Sequence, residues 1–154
     1  MPSVLFICHG NICRSTMAQF VLEDMARRAG ESDRYLIDSA ATHTDEIGSG
    51  PHYGTVRKLR EEGISVGEHV ARLVSKGDYE RFDHIVYMDA ENRHALLRVF
   101  GGDPNGKLSR LLDWAGIHRD VADPWYTGDF DATFDDVMAG CKALFSALQA
   151  GEEL

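Results

Sequence analysis

The chain has 154 residues, 44% of them apolar and 27% charged, and 16 Lys+Arg against 25 Asp+Glu give a formal charge of −9. This length fits one domain over residues 1–154 with room for a sound core. An acidic balance without a basic stripe argues against a nucleic-acid partner, and no apolar run approaches the roughly 20 residues of a membrane span.

Apolar runs alternate with segments of 3.6-residue period, the pattern of a parallel α/β sheet with helices on both faces. Val4 to Ile7 reads as the first strand, followed by a loop from Cys8 to Ser15. The next segment puts Met17, Phe20, Val21 and Met25 on one helical face, with Glu23/Arg27 and Asp24/Arg28 as i,i+4 pairs outside. Thr16 and Gln19 have capping-box spacing. Tyr35 to Ser39 reads as strand two, Ala40 to Tyr53 as a polar loop, and Thr55 to Glu62 as a helix stopped by Gly63. His84 to Met88 is the third strand, and Asp89 caps a helix carrying Ala95, Leu96 and Val99. After a Gly-rich turn at 101–106, a weak fourth strand near Leu108 to Leu112 leads into a loop holding Asp123-Pro124-Trp125-Tyr126. Phe134, Val137, Met138, Cys141, Leu144, Phe145 and Leu148 form the stripe of a last helix. Gly140 within it costs about 1 kcal/mol against alanine, an amount that burial of the stripe can absorb.

Three cysteines, an odd number, and no export signal before Val4 lead us to expect reduced thiols and a cytoplasmic location. Cys8 and Arg14 bracket the loop between the first strand and the first helix. A cysteine at the positive end of a helix, beside a curl of backbone N–H groups, is favoured as thiolate, and the same groups bind phosphate oxygens. Arginine adds a planar fork for two oxyanion oxygens. In open α/β sheets ligands bind beyond the carboxyl ends of the strands, where Cys8 lies. Together these residues are equipment for nucleophilic attack on phosphorus. The leaving oxygen needs a proton, and Asp123, fixed by Pro124 and walled by Trp125 and Tyr126, is the best candidate donor. Taken alone, Asp-Pro is more often a turn initiator. A zinc reading of Cys8 and Cys13 fails for want of two further ligands at metal spacing, and Cys141 reads as core.

The two motifs together resemble the low-molecular-weight protein tyrosine phosphatases, whose loop reads Cys-x-Gly-Asn-x-Cys-Arg-Ser and whose general acid sits in a later Asp-Pro-aromatic motif. This resemblance covers essentially the whole chain. It implies a single-domain four-stranded parallel sheet flanked by helices, a Rossmann-like three-layer sandwich. It also implies metal-free, cofactor-free hydrolysis through a cysteinyl-phosphate. By resemblance Cys8 is the nucleophile, Arg14 the oxyanion clamp and Asp123 the acid and then the base. Backbone N–H groups of His9, Gly10, Asn11, Ile12, Cys13 and Arg14 would ligate the phosphate. Ser15 would hydrogen-bond the Cys8 thiolate, and Asn11 would take a left-handed backbone conformation supported by Ser39 and His69. Cys13 resembles the cysteine that forms a reversible disulfide with the nucleophile, with a small packing residue as the competing reading. Expected partners are phosphotyrosine-containing proteins, a tyrosine kinase among the candidates. Inorganic phosphate or other oxyanions should inhibit, and a monomer is the default.

Departures bear on substrate choice. Thr16 stands where the family commonly has proline. The loop Thr42 to Tyr53 lacks the aromatic many members place on the pocket wall, with Asp45 or Glu46 in that region and Pro51-His52-Tyr53 after it. Among competing functions, a thioredoxin-coupled arsenate reductase would need two more cysteines mid-chain, and none occurs between Ile64 and Phe100. Protein-arginine phosphatases tend to carry threonine where Ile12 stands, and Ile12 favours an aromatic ring over a guanidinium. A catalytically weak phosphotyrosine-binding module would need neither nucleophile nor acid.

Overall fold

In the computed structural model, which describes residues 1–151, four strands form one sheet. They are β1 (Ser3–Cys8), β2 (Leu36–Ala41), β3 (His84–Tyr87) and β4 (Leu108–Arg110), all parallel in the order β2-β1-β3-β4. Every residue of β1 is buried, so the strand reads as a continuous apolar run rather than an alternating one. Its side chains divide by parity. Val4, Phe6 and Cys8 face a core shared with α1 (Arg14–Arg28) and α6 (Phe130–Ala150), with Leu59 of α2 (Tyr53–Glu61) behind them. Leu5 and Ile7 face the opposite layer, with Tyr79 of α3 (Lys76–Arg81) and Leu96 of α4 (Ala90–Phe100). Cys8 therefore ends its strand on the side from which α1 departs.

Strand order sets the place of the site. The chain leaves β1 to form β2 on one side, then crosses to form β3 on the other, so a crevice opens beyond the carboxyl ends of β1 and β3.

Several expectations shift. Tyr35 lies outside β2, which instead runs on to Ala41, because Cys8 pairs in register with Ala41 and the Ala41 N–H donates to the Arg72 carbonyl at 2.7 Å. β4 stops at Arg110, and Leu111 and Leu112 turn into a 3-10 segment (Leu111–Ala115) that buries both against the last helix. α2 begins two residues early because His52 caps it through Gly54 N–H, 3.0 Å from Nδ1. The short helix α3 was not anticipated, although Ser75 and Asp78 form a reciprocal capping box. On α1 the Asp24–Arg28 pair forms at 2.6 Å, but Arg27 turns to Asp24 rather than Glu23. No Thr16–Gln19 capping box forms: the Thr16 hydroxyl donates to the Cys13 carbonyl, and Gln19 reaches across to Ser39. Asp89 does cap α4, in a box with Asn92.

Candidate active site

The segment after β1 curls through Asn11, whose φ of 60° is the sole positive φ of a non-glycine among the described residues. Such a backbone costs on the order of 1–3 kcal/mol and needs a surround that over-determines it. That surround is a buried chain of side chains. Asn11 Oδ1 accepts from His69 Nε2 at 2.8 Å and from the Arg72 N–H at 3.3 Å. An amide oxygen only accepts, so His69 carries its proton on Nε2. The Ser39 hydroxyl stands 3.2 Å from that nitrogen and donates to Gln19 Oε1 at 2.5 Å. Burial pushes the His69 imidazole below its ordinary range, which keeps it neutral. Arg72 anchors the His69–Arg72 segment by bonding Asp38 and the fully buried Asp78.

The other end of Asn11 faces the sulfur. Its Nδ2 donates to Ser15 Oγ at 2.8 Å, and Ser15 Oγ lies 3.0 Å from Cys8 Sγ. A Cys8 thiolate only accepts, so toward it the Ser15 hydroxyl is the donor. The backbone N–H groups of residues 10–13 find no protein acceptor among the described residues, and α1 starts immediately after them. Donor groups and helix terminus together form a receptacle for an anion beside Cys8.

Arg14 closes the receptacle from below. It is almost fully buried, and its fork is aimed by three acceptors: Nη1 donates to Asp89 at 2.7 Å and to the Val121 carbonyl at 2.9 Å, while Nη2 reaches Asp123 at 3.3 Å. Its Nε is buried and has no partner among the described residues. Burial disfavours the cation, but charge on Cys8, Asp123 and Asp89 outweighs it and holds the guanidinium protonated. Asp123 caps the short helix α5 (Pro124–Thr127) through its other oxygen, which accepts from the Trp125 N–H at 3.0 Å. The turn reading and the proton-donor reading of Asp-Pro are therefore compatible: one carboxylate oxygen fixes the turn and the other faces the arginine.

These residues enclose a pocket of about 290 Å³, also lined by His9, Ile12, Cys13, Asp45, Glu46, Glu91, Trp125 and Tyr126. Trp125 and Tyr126 stand at the rim, 57% and 84% exposed. Tyr53 is exposed and stacks on His52, which in turn contacts Trp125 edge-on and Phe130 face-on. Cys13 is buried with Ile12 and Ala71, and burial with nearby charge on Cys8 and Asp123 pushes its thiol up to about 12. Cys141 packs in the core with its thiol pushed up by burial, and all three cysteines are free. His9, His43 and Glu91 have donor atoms within 4.8 Å of one another. The two imidazoles are stacked with their planes 9° apart, which sets their lone pairs side by side rather than converging on one ion, and Asp45 and Glu91 engage the His9 nitrogens.

Asp89, Gln19 and Arg72 carry parts of this site that sequence reading missed or took only as capping. A signal for Asp89 existed, since it follows β3 at the carboxyl edge of the sheet, as Cys8 ends β1.

A parallel sheet with a cysteine, an amide-lined loop and a buried arginine at its switch point defines an α/β protein with an anion receptacle set beside a thiol. The family profile "Low molecular weight phosphotyrosine protein phosphatase" matches residues 3–153. The low molecular weight protein-tyrosine-phosphatase YfkJ of Bacillus subtilis is 41% identical over the full length of both chains. Its crystal structure superposes with a TM-score of 0.95, covering 99% of this chain and 98% of that one. The mouse low molecular weight phosphotyrosine protein phosphatase is 37% identical over 92% of each chain. The chain belongs to the low molecular weight protein tyrosine phosphatases and is a hydrolase of phosphotyrosine in proteins.

Proposed function

We propose that Cys8 is the nucleophile of this phosphatase and Asp123 its general acid and base, acting without a metal or cofactor. The observation that carries this is Arg14: one buried guanidinium links the cysteine loop to the Asp123 carboxylate and keeps an unpartnered Nε for the substrate. Cys8 Sγ attacks phosphorus while the loop amides and the Arg14 fork take the three equatorial oxygens. Asp123 gives its proton to the departing phenol oxygen. The same carboxylate then draws a proton from water, which cleaves the S–P bond. The Ser15 hydroxyl stabilises charge on the sulfur as it leaves. Ile12, tucked against Cys13 and Ala71, gives the pocket an apolar floor edge suited to an aromatic ring. This reading extends to phosphotyrosine proteins as substrates, with a tyrosine kinase as one candidate. It further extends to inorganic phosphate as an inhibitor, a monomer, and the reducing cytoplasm in which free thiols persist.

The test is hydrolysis of para-nitrophenyl phosphate between about pH 5 and 7, with EDTA present. Wild type should turn over undiminished by EDTA, Cys8→Ser should be inactive, and Asp123→Ala should be slower by about 10²–10⁴-fold. Retained activity in Cys8→Ser would remove the nucleophile assignment.

A further inference from the structure

The mouth of the pocket carries a charge pattern that its phosphate-binding floor does not explain. Asp45, Glu46 and Glu91 line one wall. The side chains of Asp45 and Glu91 are 64% and 70% exposed, and both lean on the single imidazole of His9. Burial works against a charge on His9, but its hydrogen bonds to Asp45 and Glu91 raise its pKa, so one shared imidazolium is the most cation this wall can hold. Glu46 lies directly over the phosphate loop: its Cγ is 3.5 Å from where a Cβ on Gly10 would stand. Among the described residues its carboxylate takes only the Ser49 hydroxyl, at 3.3 Å. Among the described residues Arg14 is the one lysine or arginine lining the pocket, and Asp89 and Asp123 already engage it.

Arg14 lines the floor of this pocket, and among the described residues its buried Nε has no partner, which suits an anion as the ligand there. A phosphate dianion must therefore pass a rim of three carboxylates that the single His9 imidazole cannot neutralise. An isolated phosphoester is repelled there, whereas a substrate that brings its own cation is drawn in. Building on the phosphatase reading above, we propose that this rim selects phosphotyrosine segments with a lysine or arginine beside the phosphotyrosine. With the ring held between Ile12 and the exposed Trp125 and Tyr126, neighbouring residues lie about 3.8 Å along the chain, and their long basic side chains span to the carboxylates. Asp45 and Glu46 occupy the stretch of the 42–53 loop that carries no aromatic, so charge replaces stacking on this wall.

The experiment compares kcat/KM on two phosphotyrosine peptides differing only in arginine or glutamate flanks, on para-nitrophenyl phosphate, and on a phosphoarginine peptide. Wild type at low salt should favour the arginine-flanked peptide by about tenfold or more, with the ratio falling as salt is added. The triple variant Asp45→Asn, Glu46→Gln, Glu91→Gln should lose on the arginine-flanked peptide. It should gain about two- to fivefold on para-nitrophenyl phosphate and on the glutamate-flanked peptide, because repulsion is relieved. Changes of opposite sign cannot come from damage to the fold. Equal wild-type turnover of the two peptides, or a uniform loss in the triple variant, overturns the proposal while the catalytic reading stands. Phosphoarginine outrunning both peptides also overturns it, by placing the cation in the phosphorylated residue itself. Failure of wild type on para-nitrophenyl phosphate overturns the catalytic reading and this proposal with it.

Discussion

At the residue scale, Asn11 shows how one strained backbone is held from two sides: by His69 and the Arg72 backbone far along the chain, and by Ser15 at the start of the next helix. His69 gives this arrangement a pH signature. Burial depresses its pKa below the ordinary 6.5, so the folded ring stays neutral where an unfolded chain would take up a proton. The stability this contributes is fully present above about pH 6.5 and is lost as pH falls toward the folded value. Between pH 7.5 and 5, wild type should therefore lose more Tm than His69→Gln, in which every other titrating group is unchanged. Thermal melts at the two pH values check this, and equal losses would show that His69 does not titrate with folding. Cys13 yields a second prediction. Part of what keeps its thiol at about 12 is charge on Cys8, and oxidation of Cys8 to a sulfenic acid removes that charge. Peroxide should inactivate wild type reversibly under thiol treatment and Cys13→Ser irreversibly; equal recovery would leave Cys13 as packing alone.

At the element scale, Gly140 reverses what propensity suggests. As an exposed helix residue it would gain about 1 kcal/mol on becoming alanine. In α6, however, a Cβ there would overlap the Leu111 side chain and approach its carbonyl oxygen to 3.1 Å. Leu111 is fully buried in the 3-10 segment that replaces the end of the expected fourth strand, and so has little room to move. Gly140→Ala should destabilise by about 1–3 kcal/mol, lowering Tm by about 2–12 °C. A denaturant midpoint at or above wild type would mean that the helix and the 3-10 segment separate easily. The amphipathic stripe of α6 was legible because period 3.6 is local. Close approach to Leu111 was not, since residues 29 apart leave no mark on each other's periodicity. The same holds at Gly54, where an added Cβ would lie 2.5 Å from the Phe130 ring. That contact locks the start of α2 to the start of α6, just after the Asp123 turn.

At the scale of the whole molecule, the candidate site joins segments that the sequence keeps far apart: the end of β1, Asp89 just past β3, the 69–72 segment and the turn before α6. An anion bound there cross-links them in the folded state alone. Inorganic phosphate at about 100 times its Kd should therefore add about 2.7 kcal/mol, raising Tm by roughly 5–10 °C. Cys8→Ser should keep this shift. Arg14→Lys, which cannot present the planar fork, should lose most of it. A melt insensitive to phosphate in wild type would contradict the anion receptacle.

The sequence by itself determined the parallel α/β class, the strand–loop–helix that presents Cys8 and Arg14, and the Asp-Pro turn, because each is a local pattern of period, turn chemistry and capping. Strand ends moved by one or two residues, since pairing with a neighbour decides them: Ala41 joins β2 because Cys8 and Arg72 engage it. Only the tertiary structure decided that Asp89 aims Arg14, that Gln19 abandons its helix cap for Ser39, and that Glu46 lies over Gly10. Each of these depends on which strand ends and loops the β2-β1-β3-β4 order brings to one edge of the sheet. Hydrogen bonds and charge act over a few ångströms of space, whatever the separation along the chain.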